Sequence, residues 1–182
     1  MGRLLERTAL NAALLVIDLQ EKLVKVMPES EKVVDNTIRL IQAAHILDVA
    51  VMATEQYPRG LGPTVENIAA LIPHRSEKMT FSSCKHAEIL EQLHGRGIKH
   101  VTLAGIETHV CVAQTALDLL RMGFDVTVPA DAVTSRSRID WEFGIRRMEQ
   151  AGAVLTTTEA VIFEWIGTAE SPRFKEISAL VK

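Results

Sequence analysis

Two cysteines in 182 residues are too few for a disulfide framework. A chain without such bridges suits a reducing compartment, and a cytoplasmic location is the expectation. Long apolar runs are missing as well: none approaches the roughly 20 residues that a membrane-spanning helix needs. Positive charge is not in surplus. Lys plus Arg is 20 against 23 for Asp plus Glu, a formal charge of −3. That argues against a nucleic-acid module, whose affinity rests on a clustered basic surface. The N-terminal MGRLLERTALN has charges spread through it and no apolar signal-peptide core. Internal repeats, low-complexity tracts and linkers are absent too. Membrane, secreted and nucleic-acid-binding readings are poor starting points.

What is present is the balance of a globular protein, 47% apolar and 24% charged. The length suits one domain, taken as residues 1–182, and is enough to bury a core without metal or disulfide staples. Short, almost wholly apolar runs recur at 12–17 (AALLVI), 49–53 (VAVMA), 100–104 (HVTLA), 124–128 (FDVTV) and 153–155 (AVL), with a weaker candidate at 75–78. Runs so short and so apolar predict strands covered on both faces, as in a parallel sheet. Between them lie stretches of helical period. Residues 31–47 align Val34, Ile38 and Ile41; residues 85–94 gather Ile89, Leu90 and Leu93; residues 110–122 carry Val112, Ala116, Leu119 and Leu120 and stop at Gly123. Trp141, Ile145 and Met148 form the next stripe, and two more helices are expected near 159–166 and 172–181. Strand–helix–strand alternation over the chain predicts right-handed crossovers and a three-layer α/β domain. The loop Glu55–Pro63, with two Pro and two Gly, is expected to be irregular and to wall a pocket.

Three residues stand out by position. Asp18 follows the first strand, Lys78 ends the weak one, and Cys111 lies in GIETHVC between a strand and the next helix. All three fall at carboxyl ends of strands, where open α/β sheets bind ligands. A thiol is a poor nucleophile until it loses its proton. A helix N-terminus and a nearby ammonium both favour the thiolate. Asp18 could take the proton and later deliver it to a leaving group, and free N–H groups of the turn could receive an oxyanion. Taken singly, each residue has a plainer reading: a turn-forming Asp, a solvated Lys, a Cys serving as a small buried hydrophobe. Residue types and spacing alone leave both readings open.

The segments LLVIDLQEK (14–22), EKMTFSS (77–83) and LAGIETHVCV (103–112), in that order, resemble the isochorismatase-like, or cysteine hydrolase, superfamily. TEQYPRGLGPT (54–64) and ADAVTSRS (130–137) are more similar still to the isochorismatase domain-containing subgroup. The resemblance implies a six-stranded parallel sheet of Rossmann-like order 3-2-1-4-5-6 and a catalytic triad of Asp18, Lys78 and Cys111. It also implies a cis peptide at Ile106–Glu107 and an oxyanion hole from the N–H groups of Glu107 and Cys111. Gln20, Tyr57, Phe81 and Ile106 complete the candidate substrate contacts. Gln20 could instead orient Asp18, and the two aromatics could equally be packing. The metal-binding Asp and His of nicotinamidases are replaced by Glu55-Gln56-Tyr57-Pro58, so no metal and no cofactor are expected, and His74 alone makes no site. The implied activity is hydrolysis of a small amide or related acyl compound through a thioester. Vinyl-ether hydrolysis, a non-catalytic oligomeric scaffold, and a redox pair of Cys111 with Cys84 are the alternatives. His109, Ser135 and Arg136 are candidates for supporting roles near the pocket. The expected partners are a small-molecule substrate and further copies of the chain in a homo-oligomer, with neither nucleic acid nor membrane.

Overall fold

In the computed structural model, residues 9–182 are described. After a short turn at Ala9–Asn11 comes β1 (Ala12–Ile17), buried at every position. AALLVI has no polar face, so it is stable only where both sides of a sheet are covered. There follow α1 (Glu21–Val24), α2 (Ser30–Ile46), β2 (Ala50–Gln56), α3 (Pro58–Leu61), α4 (Glu66–Ala69) and β3 (Ser76–Lys78). The second half holds α5 (Ala87–Gly95), β4 (His100–Ile106), a π-helical turn at Thr108–Val112 and α6 (Ala113–Arg121). It closes with β5 (Asp125–Pro129), β6 (Val133–Thr134), α7 (Arg138–Gln150), β7 (Val154–Thr156), α8 (Thr158–Ile166) and α9 (Phe174–Leu180).

Every strand pairing is parallel, and the main order is 3-2-1-4-5-7. The parallel three-layer fold is as expected, but among the described residues the sheet has seven strands where six were expected. The additional one, β6, pairs Val133 and Thr134 with Gly105 and Ile106 at the end of β4. It fills the place that β5 vacates, because β5 stops pairing with β4 at Thr102. Two residues carry no periodic signal, so nothing in the sequence marks this strand. The edge strand expected near 153–155 is β7.

Side chains alternate across β1. Leu14 and Val16 join Leu40, Ile41, Ala44, Ile162 and Trp165 under α2 and α8. Ala13, Leu15 and Ile17 join Ile89, Leu93, Val112, Leu119 and Met148 under α5, α6 and α7. The two cores lie on opposite faces of one sheet, as the period-two pleat dictates. β1 and β4 are neighbours from which the chain runs outward in opposite directions, so the crevice between their carboxyl ends is the switch point of the fold. Gly105 makes that seam possible. A Cβ there would sit 2.0 Å from the Ile17 carbonyl oxygen, and its φ of +119° belongs to glycine.

Residues 55–63 are more regular than expected. β2 continues through Gln56, and Pro58 starts a helical turn. Proline suits the first helical position, where its missing N–H has no partner to lose. Glu55 holds the far end of this loop. Its buried Oε1 accepts the Thr64 N–H (2.8 Å) and hydroxyl (2.7 Å) and the Arg75 Nε–H (3.1 Å). Burial alone would raise the Glu55 carboxyl, but the Thr64 and Arg75 contacts outweigh it and hold the group below its ordinary 4.5. A depressed folded value contributes stability above about pH 4.5, lost as pH falls through the folded value. The difference in melting temperature between wild type and Glu55→Gln should therefore be widest near neutrality and shrink on acidification below that pH. Thermal melts of both proteins from pH 7 to pH 3 measure it; a gap that does not narrow rules the effect out.

Candidate active site

β1, β3 and the turn after β4 bring Asp18, Lys78 and Cys111 together at the switch point. Asp18 is the first residue past β1 and has a left-handed backbone (φ 53°), a conformation sparsely populated by residues with a Cβ. Its N–H is held by the Thr54 carbonyl (3.1 Å). The Lys78 ammonium lies 2.7 Å from Asp18 Oδ2, with both side chains out of contact with solvent (1% and 0% exposed). Thr54 Oγ1–H donates to the other carboxylate oxygen at 2.8 Å. Lys78 Nζ also donates to Gln56 Oε1 (2.8 Å) and to the carbonyls of Phe81 (3.1 Å) and Thr80 (3.3 Å).

Cys111 sits in the π-helical turn, where the Val112 N–H reaches back five residues to the Glu107 carbonyl (3.2 Å). Such turns recur at functional sites because they redirect side chains within a helix. α7 packs tightly on this turn through Gly144: a Cβ there would lie 3.0 Å from His109 Cα. The Ile106–Glu107 peptide is cis. The Cys111 sulfur interacts with both the Asp18 carboxylate and the Lys78 ammonium. Burial, reinforced by the Asp18 charge, pushes the thiol up to about 12 against the pull of Lys78. Burial thus favours the thiol, the opposite direction to the thiolate that a helix N-terminus and a lysine were expected to favour. Rapid alkylation at low pH is therefore not expected of this cysteine. Its reaction with iodoacetamide should instead accelerate steadily with pH from 7 to 10, since the thiolate fraction grows tenfold per unit below the thiol's own value. Peptide mass spectrometry of the adduct measures this, and a plateau near pH 8 would contradict it.

The other candidates separate. Gln20 is fully buried and its amide is spent on backbone: Nε2 donates to the carbonyls of Gln56 (3.0 Å) and Gly62 (2.7 Å), and Oε1 accepts the Gln56 N–H (2.7 Å). It braces the 57–63 loop rather than facing a substrate. Ile106 also points away, into the core beneath α2, because it alternates with Gly105 on the pleat. Tyr57 and Phe81 are exposed at the rim (47% and 53%), with Met79 beside them. A cavity of about 300 Å³ opens between Tyr57, Pro58, Arg59, Glu77, Lys78 and Met79. Glu107 extends outward to the Arg136 guanidinium (2.9 Å), and His109 Nδ1 lies 3.0 Å from Ser135 Oγ. His74 pairs at the surface with Glu88 (2.6 Å). Among the described residues no three His, Cys, Asp or Glu side chains gather as a metal site. Cys84 is buried and its thiol is pushed up to about 11 by desolvation.

Two residues escaped the sequence reading. Thr54 and Gln56 lie two apart on one face of β2, and between them they hold Asp18 and Lys78. Polar residues at alternate positions near the end of a buried strand were the available signal.

Fold and side chains define a parallel-sheet α/β protein with a buried sulfur–carboxylate–ammonium cluster at its switch point. The isochorismatase domain model matches residues 12–160. Isochorismatase domain-containing protein 2 of Xenopus laevis is 41% identical over 182 residues, covering all of this chain and 87% of that protein. The structure described as MAR1 ribonuclease from Caenorhabditis elegans is 40% identical, covers 97% of this chain and 92% of its own, and superposes with a TM-score of 0.91. The Escherichia coli YcaC gene product, described as an octameric hydrolase of unknown specificity, is 26% identical with a TM-score of 0.90, covering 99% and 91%. The chain belongs to the isochorismatase domain family. No helix among its described residues is long and apolar enough to cross a membrane.

Proposed function

We propose that the protein is a cysteine hydrolase of a small amide or related acyl compound, with Cys111 as nucleophile, Asp18 as proton carrier and Lys78 as fixed counter-charge. The observation that carries the reading is a buried ion pair whose two charges both act on one buried sulfur. Asp18 takes the thiol proton as the Cys111 sulfur bonds to the substrate carbonyl carbon, and the carbonyl π pair moves to oxygen. The N–H groups of Glu107 and Cys111 receive that oxyanion, each such donor being worth about 3–4 kcal/mol in the transition state. The tetrahedral adduct collapses, the C–N bond breaks, and Asp18 returns the proton to the departing amine. Water then attacks the thioester, giving its proton to Asp18, and the acid leaves as the proton goes back to sulfur. Amide plus water gives acid plus amine, with the site restored. The high thiol value fits this sequence, because the proton departs only as the S–C bond forms.

Turnover of a panel of small amides by wild type, with an aldehyde to trap the sulfur, tests the assignment. A reversible thiohemiacetal on Cys111 and competitive loss of turnover are expected; an aldehyde that leaves Cys111 unmodified would remove the nucleophile role. The rim of Tyr57, Met79 and Phe81 favours apolar substituents on the substrate. The octameric YcaC relative supports a homo-oligomer here as well.

The name of the Caenorhabditis elegans structure favours a second reading, RNA cleavage. That chemistry needs cations free to meet phosphate. Lys78 is ringed by oxygen acceptors and Arg136 is held by Glu107, which weighs against it. RNA degradation by purified wild type that Cys111→Ala does not diminish would displace the amidase reading.

A further inference from the structure

The turn that carries the sulfur is fastened to the loop that holds the lysine through the Thr115 hydroxyl. Thr115, in the first turn of α6, is fully buried. Its Oγ1–H donates to the Cys111 carbonyl at 2.7 Å, and the same oxygen accepts the Ser83 N–H at 3.0 Å. The polarity is forced, since a carbonyl can only accept and a backbone N–H can only donate. Ser83 is two residues past Phe81, whose carbonyl receives the Lys78 ammonium. A short path therefore runs from ammonium to Phe81, along the chain to Ser83, across the Thr115 hydroxyl, and onto the main chain of Cys111. A helical Ser or Thr that bonds back to the carbonyl four residues earlier ordinarily acts only on its own helix. Here the acceptor is Cys111 itself, and the same oxygen reaches a different segment. The next residue, Cys84, also leans on Thr115, with Sγ 3.7 Å from its carbonyl. Valine has the same shape but offers neither function, so the bridge depends on the hydroxyl and not on packing.

We propose that Thr115 is a positioning residue that sets the backbone of Cys111 against the Asp18–Lys78 pair, an inference that rests on the hydrolase reading of that pair. Thr115 lies four residues along the helix from the sulfur and acts through the carbonyl and through the Ser83 segment. Without its hydroxyl, the nucleophile's turn and the lysine loop lose their direct link, while the ion pair itself keeps its own partners.

The test compares Thr115→Val and Thr115→Ser. On an amide that wild type turns over, T115V should lower kcat by about 10- to 100-fold, the penalty of a small misplacement of reacting atoms, with KM nearly unchanged. T115S, which keeps the hydroxyl, should stay within about twofold of wild type. A T115S protein as impaired as T115V would overturn the proposal, because the methyl and not the hydroxyl would then matter. A second readout needs no substrate: the pH profile of Cys111 alkylation by iodoacetamide in wild type, D18N, T115V and D18N/T115V. In wild type, removing the Asp18 charge should move the profile to lower pH, because that charge holds the proton on sulfur. In the T115V background this shift should shrink to about half or less, a non-additivity expected of groups that share a structural link. An equal shift in both backgrounds would show that Thr115 does not set the distance between the two groups. Should no amide be turned over, the hydrolase reading fails on its own while the alkylation cycle still decides Thr115. Should T115V not fold, T115A goes through the same cycle with the same two outcomes.

Discussion

Cys111→Ala is expected to lower amide hydrolysis by at least about a thousandfold and to abolish any covalent adduct, with little change in fold. The size of the effect follows from the inventory of the site. Among the groups gathered at the switch point, Lys78 donates to four oxygen atoms as an ammonium and has no lone pair. The Asp18 carboxylate, paired with Lys78 and Thr54, is placed to carry a proton and is a far weaker nucleophile toward an amide than sulfur. The sulfur is the soft nucleophile on which both charges act. Removing it leaves oxyanion donors and binding contacts, which by themselves retain only a residual fraction of catalysis. The measurement is kcat/KM on the amide panel, together with intact mass after incubation with substrate. Full activity in C111A would move general-acid chemistry, such as vinyl-ether hydrolysis by Asp18, ahead of acyl transfer.

Lys78→Met should destabilise the protein by about 3–5 kcal/mol, because it leaves the Asp18 carboxylate charged in a buried site without its counter-ion. The Lys78 side chain is 1% exposed and that of Asp18 is 0%, so water cannot take over the lost role without opening the structure. For a chain of this length the loss corresponds to a fall in melting temperature on the order of 10 °C. The double variant D18N/K78M should recover a large part of it. Replacing both partners removes the stranded charge, and a neutral amide can still accept from Thr54 and donate nearby. Calorimetry of the two single variants and the double variant gives the coupling. A K78M protein as stable as wild type would mean that the Asp18–Lys78 pair adds nothing net to the fold.

How much of this could be read from the residues depended on the kind of signal. β1 runs over Ala12–Ile17 as its unbroken apolar stretch implied, and Asp18 is where the polar chain resumes. Cys111 was legible because it lies in the turn that follows the apolar run of β4, whereas Lys78 ends the weak, charged strand Ser76–Lys78, which periodicity marked only faintly. Features created by tertiary geometry were not legible. β6 exists because β5 leaves the end of β4 unpaired. The turn at Pro58–Leu61 was hidden by Pro and Gly residues that ordinarily break structure, although proline at a first helical position helps to start it. Ile106 and Gln20 sat close to the site in sequence, but one pleat step turns Ile106 into the core under α2 and the Gln20 amide is taken by the Gln56 and Gly62 backbone. The thiol's high value also needed the fold. A helix start and a lysine predict one direction, and the burial that reverses it can be seen only once the chain is closed around the sulfur.

The ring of oxygen atoms around Lys78 has a chemical consequence of its own. An ammonium has three hydrogens, and here Asp18, Gln56 and the Phe81 and Thr80 carbonyls compete for them. Its nitrogen therefore presents no electron pair to a visitor. Aldehydes, ketones and activated esters that reach the crevice find no amine able to form an imine or be acylated, which under the proposed mechanism leaves sulfur as the point of attack.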